Sequence, residues 1–171
     1  LERATAADRS IPQLDDVRKL ISQATTARAA IDDLLREARR LRSEQQLMSP
    51  AGENAAELYH RVLATDPENA IAAQGLNEIT AQVAQVAEAL LSEGELERVD
   101  ELVTEAQAAA LPTEGVAEIR RRLQLERARQ KTITDNIASA RSLMAAGFLT
   151  QPIGNNAVDK LREVQQVDPR N

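Results

Sequence analysis

One segment of this 171-residue chain is written twice. Residues 34–69 and 136–171 align without gaps at an offset of 102 positions, and the identical pairs include Ala38/Ala140, Leu41/Leu143, Leu47/Leu149, Pro50/Pro152, Gly52/Gly154, Asn54/Asn156, Ala55/Ala157, Val62/Val164, Asp66/Asp168, Pro67/Pro169 and Asn69/Asn171. Apolar matches recur three and four residues apart, the spacing of one helical face, and turn formers match turn formers. A third copy lies between them: AEALLSEGEL at 87–96 aligns with ARSLMAAGFL at 140–149. The steps are 49 (Ala38 to Ala87) and 53 (Ala87 to Ala140), which sum to the 102 found independently. A period near 50 residues restricts the fold to a stack of units, each covering its apolar face with a neighbour.

The material of those units is helical. Aromatic residues make up only 1% of the chain, Tyr59 and Phe148, so a core of alanine and leucine has to form by close packing of helices rather than by the aromatic and β-branched pairs of a sandwich or barrel. A net charge of −6 disfavours nucleic acid or an anionic membrane as partner. The absence of cysteine removes cysteine-based zinc sites and thiol nucleophiles. Within these residues no apolar run approaches the ~20 needed to span a bilayer, and no signal-peptide pattern occurs.

The spacing of the copies resembles the tetratricopeptide repeat, a helix-turn-helix of about 34 residues. The middle copy carries it in Gly94, Leu96, Val99, Val103 and Ala106, and the outer copies in Ala55, Tyr59, Val62, Pro67 and in Ala157, Leu161, Val164, Pro169. The outer copies depart from the family by five extra residues before Ala55 and before Ala157, and by long first helices. The resemblance implies an all-α array of antiparallel helical hairpins stacked with a right hand, with a groove that binds a peptide segment or a partner domain. The PxGxNA…DPxN variant is similar to repeats in large bacterial envelope proteins, some TonB-like. The use of arginine for 18 of the 21 basic residues, with abundant alanine, also hints at a bacterial source, periplasm and cytoplasm both remaining open.

Element by element, residues 1–11 read as a tail, and Ser10, Pro12 and Gln13 as a capping box opening a helix over about 12–46. Its stripe is Leu14, Val17, Ile21, Ala24, Ala27, Ile31, Leu34, Ala38 and Leu41. Asn54, with Glu57 at the third helical position, caps a short helix, as does Asn156 with Asp159. Asp66 is expected to cap the next helix, with Pro67 at its first position, running to about Ser92, where Gly94 turns the chain. Helices over about 95–110, 113–146 and 156–166 follow. The array spans 12–171, with units near 31–69, 70–111 and 113–171. Because the DPxN of the first copy leads into a helix, the DPRN at 168–171 reads as a helix start, and the chain as a piece of a longer protein. Between Leu123 and Ile133 only Leu125 and Ala128 are apolar, so the last long helix is expected to bridge a unit built on 12–110 and another starting near 133.

Nothing in the pattern assembles a catalytic constellation. His60, the single histidine, is expected at the surface. Asp15-Asp16 and Asp32-Asp33 diverge by about 100° on a helix and do not converge on a substrate. The glycines are scattered, without a phosphate loop. No cofactor or metal is therefore expected, and no enzyme. The charges are more telling. Arg36, Arg39, Arg40 and Arg42 cluster in the first long helix, and Arg120, Arg121, Arg122, Arg127, Arg129 and Lys131 in the last, with an acidic block from Glu93 to Glu105 between them. Either these blocks pair between neighbouring helices, or they form a bipolar surface on which arginine grips carboxylates. On the second reading Arg36, Arg39, Arg40, Arg120, Arg121 and Arg127 are the candidate partner-binding residues. The SPAGEN and QPIGNN loops offset the two helices of a hairpin or, since Phe148 and Ile153 flank the second, make contacts. The expected function is a non-enzymatic interaction scaffold for a protein or peptide, the alternative a structural spacer or self-associating module. A groove with surplus apolar surface would favour the first and a uniformly polar exterior the second.

Overall fold

The chain is all-α. The structure, a computed structural model, describes the backbone of residues 2–169 and the side chains of residues 14–169. Six helices follow in order: α1 (Glu2–Ser43), α2 (Ala55–Thr65), α3 (Ala70–Glu93), α4 (Leu96–Ala108), α5 (Thr113–Ala145) and α6 (Ala157–Val167), with no strand among the described residues. α1 packs on α2 and α5 on α6 as helical hairpins.

The long helices stop for a common reason. After α1, α3 and α5 the chain enters the left-handed region at Gln45 (φ 63°), Gly94 (φ 79°) and Gly147 (φ 83°). The next N–H then reaches back to a carbonyl five residues earlier: Gln46 to Leu41, Glu95 to Leu90 and Phe148 to Leu143, each 2.9 Å. This is the Schellman closure, which satisfies carbonyls that the helix end would otherwise orphan. The three positions are 49 and 53 residues apart, the same steps as the sequence copies.

Two hairpin corners share one network, to which Asn156 adds a bond to the Thr150 carbonyl (3.1 Å). In the first, the Asn54 side chain accepts from the Glu57 N–H (3.0 Å) while its amide donates to the Pro50 carbonyl (2.9 Å) and to the Glu57 carboxylate (3.0 Å). In the second, Asn156 accepts from the Asp159 N–H (2.9 Å) and donates to the Pro152 carbonyl (2.9 Å) and the Asp159 carboxylate (2.5 Å). Glu57 and Asp159 also take the N–H groups of Gly52 and Gly154. Both asparagines are buried, and both Ser49-Pro50 and Gln151-Pro152 are cis. The capping box of sequence reasoning is therefore the hub of each corner rather than a surface ornament.

Several boundaries differ from expectation. α1 begins at Glu2 rather than near 12; the side chains of the Ser10–Gln13 pattern lie outside the described residues. Asp66 does not cap α3. It closes α2, donating its N–H to the Val62 carbonyl, and α3 starts only at Ala70. The cap is Asn69, whose side-chain oxygen accepts from the Ala72 N–H (3.1 Å) and whose amide is held by the Asp66 carboxylate (2.9 Å). The chain first makes a turn in which the Asn69 N–H donates to the Asp66 carbonyl (3.1 Å), so the helix begins three residues later. The matching turn at 168–171 runs into residues 170 and 171, which lie outside the described residues.

Two compact units result, and they are not the two expected. One comprises residues 1–82 and 108–112, the other residues 83–107 and 113–171. Val116, Ile119 and Leu123 at the start of α5 are buried, which places that stretch in the second unit. From 124 to 139 no residue of α5 is buried, so the thinning of the stripe is real although the unit boundary lies elsewhere. In the first unit the core joins Leu35, Ala38 and Leu41 of α1, Tyr59 and Val62 of α2, and Ala72, Leu76 and Ile79 of α3. Gly75 is required there: a Cβ at that position would overlap three carbons of the Tyr59 ring.

Three stability changes are expected from urea unfolding. Gly75→Ala should destabilise by about 1–3 kcal/mol through overpacking, despite a helix-propensity gain of roughly 1 kcal/mol, and Tyr59→Leu in the same chain should recover most of the loss. Gln45→Gly should stabilise by about 1 kcal/mol by removing the left-handed penalty. Asn54→Asp, ordinarily an equal cap, should cost about 1–3 kcal/mol, because the buried donor to Pro50 is lost and a second carboxylate meets Glu57.

Candidate interaction surface

The arginines singled out from the sequence are positioned mostly by helix spacing. Arg36 pairs with Asp33 one turn earlier. Arg40 lies between Glu37 (2.6 Å) and Glu44 (2.6 Å) on the same face of α1. Arg121 pairs with Glu118 (2.8 Å) on α5, and Arg127 reaches Asp100 on α4 (3.5 Å). Arg39 and Arg120 are exposed and have no carboxylate partner among the described residues. Four of the candidates are thus engaged with carboxylates of the chain itself, mostly within one helix, and Arg39 and Arg120 are not.

Hydrogen bonding to these arginines perturbs the carboxylates. The Arg121 guanidinium, with Arg122 beside it, holds Glu118 down to about 2. Glu37 is likewise lowered by its hydrogen bond to Arg40, whose own value rises through Glu37 and Glu44. All are solvent-facing helix pairs, so their role is local helix support rather than a catalytic tuning.

Arginines outside the candidate set carry the longer-range ties. Arg42 of α1 pairs with Glu78 of α3, and Arg122 of α5 with Glu88 of α3. Arg129 of α5 reaches the end of α6, donating to the Val167 carbonyl (3.2 Å) and pairing with Asp168 (3.3 Å), where a cation also meets the negative end of the helix dipole. Arg122 and Arg129 therefore line, already engaged, a groove of about 700 Å³ in the second unit that also includes Glu88, Glu93 and the exposed Leu125. A smaller cavity of about 160 Å³ in the first unit has Arg39 and Arg42 at its mouth beside Tyr59, Ile71 and Gly75.

His60 is not a free surface residue. It is half-buried, and its Nε2 lies 3.0 Å from the Ala109 carbonyl, tying α2 to the turn after α4 where Ala110 is left-handed (φ 50°). A carbonyl partner 49 residues away has no sequence signature, which is why spacing alone did not show it. Among the described residues no three His, Asp or Glu side chains converge as a metal site, and no helix is long and apolar enough to cross a membrane.

Aligned position by position, the two hairpins differ most where they are exposed. Ala56 and Tyr59 of α2 are 0% and 1% exposed; their counterparts Val158 and Leu161 of α6 are 36% and 42%. Met144, Phe148, Leu149 and Ile153 are exposed in the same hairpin, Ile153 by 85%. A second apolar stripe lies open on α1, where Leu14, Val17, Leu20 and Ile21 are all at least half exposed. Sequence reasoning noted Phe148 and Ile153 as contact residues but Leu161 only as part of the repeat pattern and Val158 not at all; the signal was present in the Tyr59/Leu161 and Ala56/Val158 pairs, both apolar at an inward position.

With its helical hairpins and two open apolar faces, the chain falls in the broad class of all-α hairpin proteins. No known protein family, curated protein or solved structure matches it.

Two measurements follow. Carboxylate NMR should show Glu118 titrating near pH 2 rather than near 4.5. Since its folded value is depressed, its support of α5 is complete above about pH 4.5 and is lost as pH falls toward 2. His60→Ala should cost about 1–2 kcal/mol in urea unfolding by leaving the Ala109 carbonyl without its partner.

Proposed function

We propose that this chain is a non-enzymatic protein–protein interaction scaffold, built of hairpins resembling tetratricopeptide repeats, that receives an apolar helical segment on its last hairpin. The observation that carries the reading is the uncovered pair Val158 and Leu161 on α6, at positions that are closed when occupied by Ala56 and Tyr59 on α2. Contiguous exposed apolar side chains on a folded unit mark a contact site more often than a neutral surface, and an apolar face bordered by charge suits an amphipathic helix. Arg39 and Arg120, with no carboxylate partner among the described residues, remain the candidates for charge recognition of a partner. An origin in a multidomain bacterial envelope protein agrees with the arginine-rich composition and the loop motif.

The reading is tested by selecting displayed peptides on the immobilised chain, with a Val158→Asp/Leu161→Asp chain as the counter-target. Binders with apolar residues at i, i+3 and i+4, weakened roughly tenfold or more on the counter-target, are expected; loss of one such apolar anchor is worth about 1–3 kcal/mol. A selection whose binders ignore the α6 substitutions would favour the spacer.

A further inference from the structure

We propose that the small cavity of the first unit is a binding site for one carboxylate group on a short apolar stem, with the Arg39 guanidinium and the Tyr59 hydroxyl as its donors. The site is separate from the α6 face and gives Arg39 a class of ligand.

The cavity is made by one continuous stretch of chain, 39–78, to which α1, α2 and α3 all contribute. Gly75 gives it depth. A Cβ there would overlap Cζ of Tyr59, the ring carbon that bears the hydroxyl, and the two carbons beside it. The hydroxyl end of the ring therefore lies across the glycine, between two walls. Ile71, Gln74 and Glu78, three and four residues apart on one face of α3, form one wall; Arg39 and Arg42, three apart on α1, form the other.

The hydroxyl is the unusual member. Tyr59 is 1% exposed, yet its oxygen bonds to no group among the described residues. It is not sealed in either, since the polar side-chain atom that is both shut off and unbonded among the described residues is Oε1 of Gln82. The little of Tyr59 that is exposed thus includes the hydroxyl, at the floor of the cavity. Phenylalanine would fill the same volume with no donor to satisfy, and a buried tyrosine hydroxyl ordinarily finds a partner in its own fold. Here the partner has to come from the cavity.

The surrounding charges select that partner. Arg42 is held by one oxygen of Glu78, and the other oxygen takes the Gln74 amide (2.8 Å), so Glu78 is already engaged on both sides. Arg39 has no carboxylate partner among the described residues. Two guanidiniums and one carboxylate leave the cavity one positive charge, which a single carboxylate cancels and a phosphate group exceeds. A guanidinium also presents paired N–H donors that match the two oxygens of a carboxylate. Ile71, 47% exposed on the α3 wall, offers apolar surface to the carbons next to that group. At about 160 Å³ the cavity suits a group the size of one side chain, well below the roughly 300–1,000 Å³ of pockets that enclose larger ligands.

The chain has one tyrosine and no tryptophan, so tyrosine fluorescence reports on this site alone. The chain is titrated at constant ionic strength with propionate and, separately, with propionamide, which has the same shape without the charge. A saturating change with propionate is expected, with propionamide roughly tenfold weaker or more. Arg39→Gln should keep the wild-type urea midpoint and weaken propionate by roughly tenfold, as loss of a charge-assisted hydrogen bond requires. Tyr59→Phe, read through the Ile71 methyl signal in NMR because the fluorescent reporter is gone, should also weaken it. A blocked tripeptide, acetyl-Ala-Glu-Ala-amide, separates two sources of the same chemistry. Binding as tight as propionate or tighter assigns the site to an acidic side chain of a partner, and weaker binding assigns it to a free organic acid. Equal responses to propionate and propionamide, no saturation, an Arg39→Gln chain of unchanged affinity, or tighter binding of inorganic phosphate would each overturn the proposal. None of these results alters peptide selection on α6, so the two readings stand or fall separately.

Discussion

Everything in this structure turns on a polar side chain that has to be satisfied out of water. Asn54 and Asn156 are almost wholly buried at the corners of the two outer hairpins, and a buried amide left unpaired costs more than most single packing contacts return. Each is satisfied completely by its own corner: it caps the helix that follows, holds the carbonyl of the proline that precedes, and braces the carboxylate one turn ahead, which in turn takes a glycine N–H. No part of that network can be formed in another register. The corner therefore sets where the second helix begins and which of its faces turns inward, and the apolar residues need only fill the geometry it defines.

That division of labour explains how much could be read beforehand. The asparagine caps, the ends of α3 and α5 at glycine and the short α6 were legible because each depends on residues within a turn of one another. Asp66 was misassigned because Asp and Asn are nearly equal as caps, and what separates them is the turn in which the Asn69 N–H closes on the Asp66 carbonyl. The extra length of α1 was invisible in a stretch without periodic apolar residues. The bond from His60 to Ala109 and the split of α3 between two units depend on chain segments far apart in sequence.

The candidate surface was legible in one half and hidden in the other. Charge clusters are conspicuous in a sequence, yet most of the arginines are engaged with carboxylates one turn away or on a neighbouring helix. Valine and leucine at inward positions are inconspicuous because a covered and an uncovered copy look the same in letters. Only the comparison of exposure between two locally equivalent hairpins separates them, and it moves the emphasis from charge to apolar surface.

The three left-handed helix ends also separate two things that proteins usually vary together. Between the first and second of these ends lie 49 residues, between the second and third 53, and the closure at each is unchanged. The long helix changes by more than that step: α5 has 33 residues where α3 has 24, so it is longer by about 13 Å, while the loop ahead of α4 is shorter than the one ahead of α2. Helix length and helix-end closure are thus independent variables in this chain: a long helix can be extended without redesigning the left-handed joint that ends it.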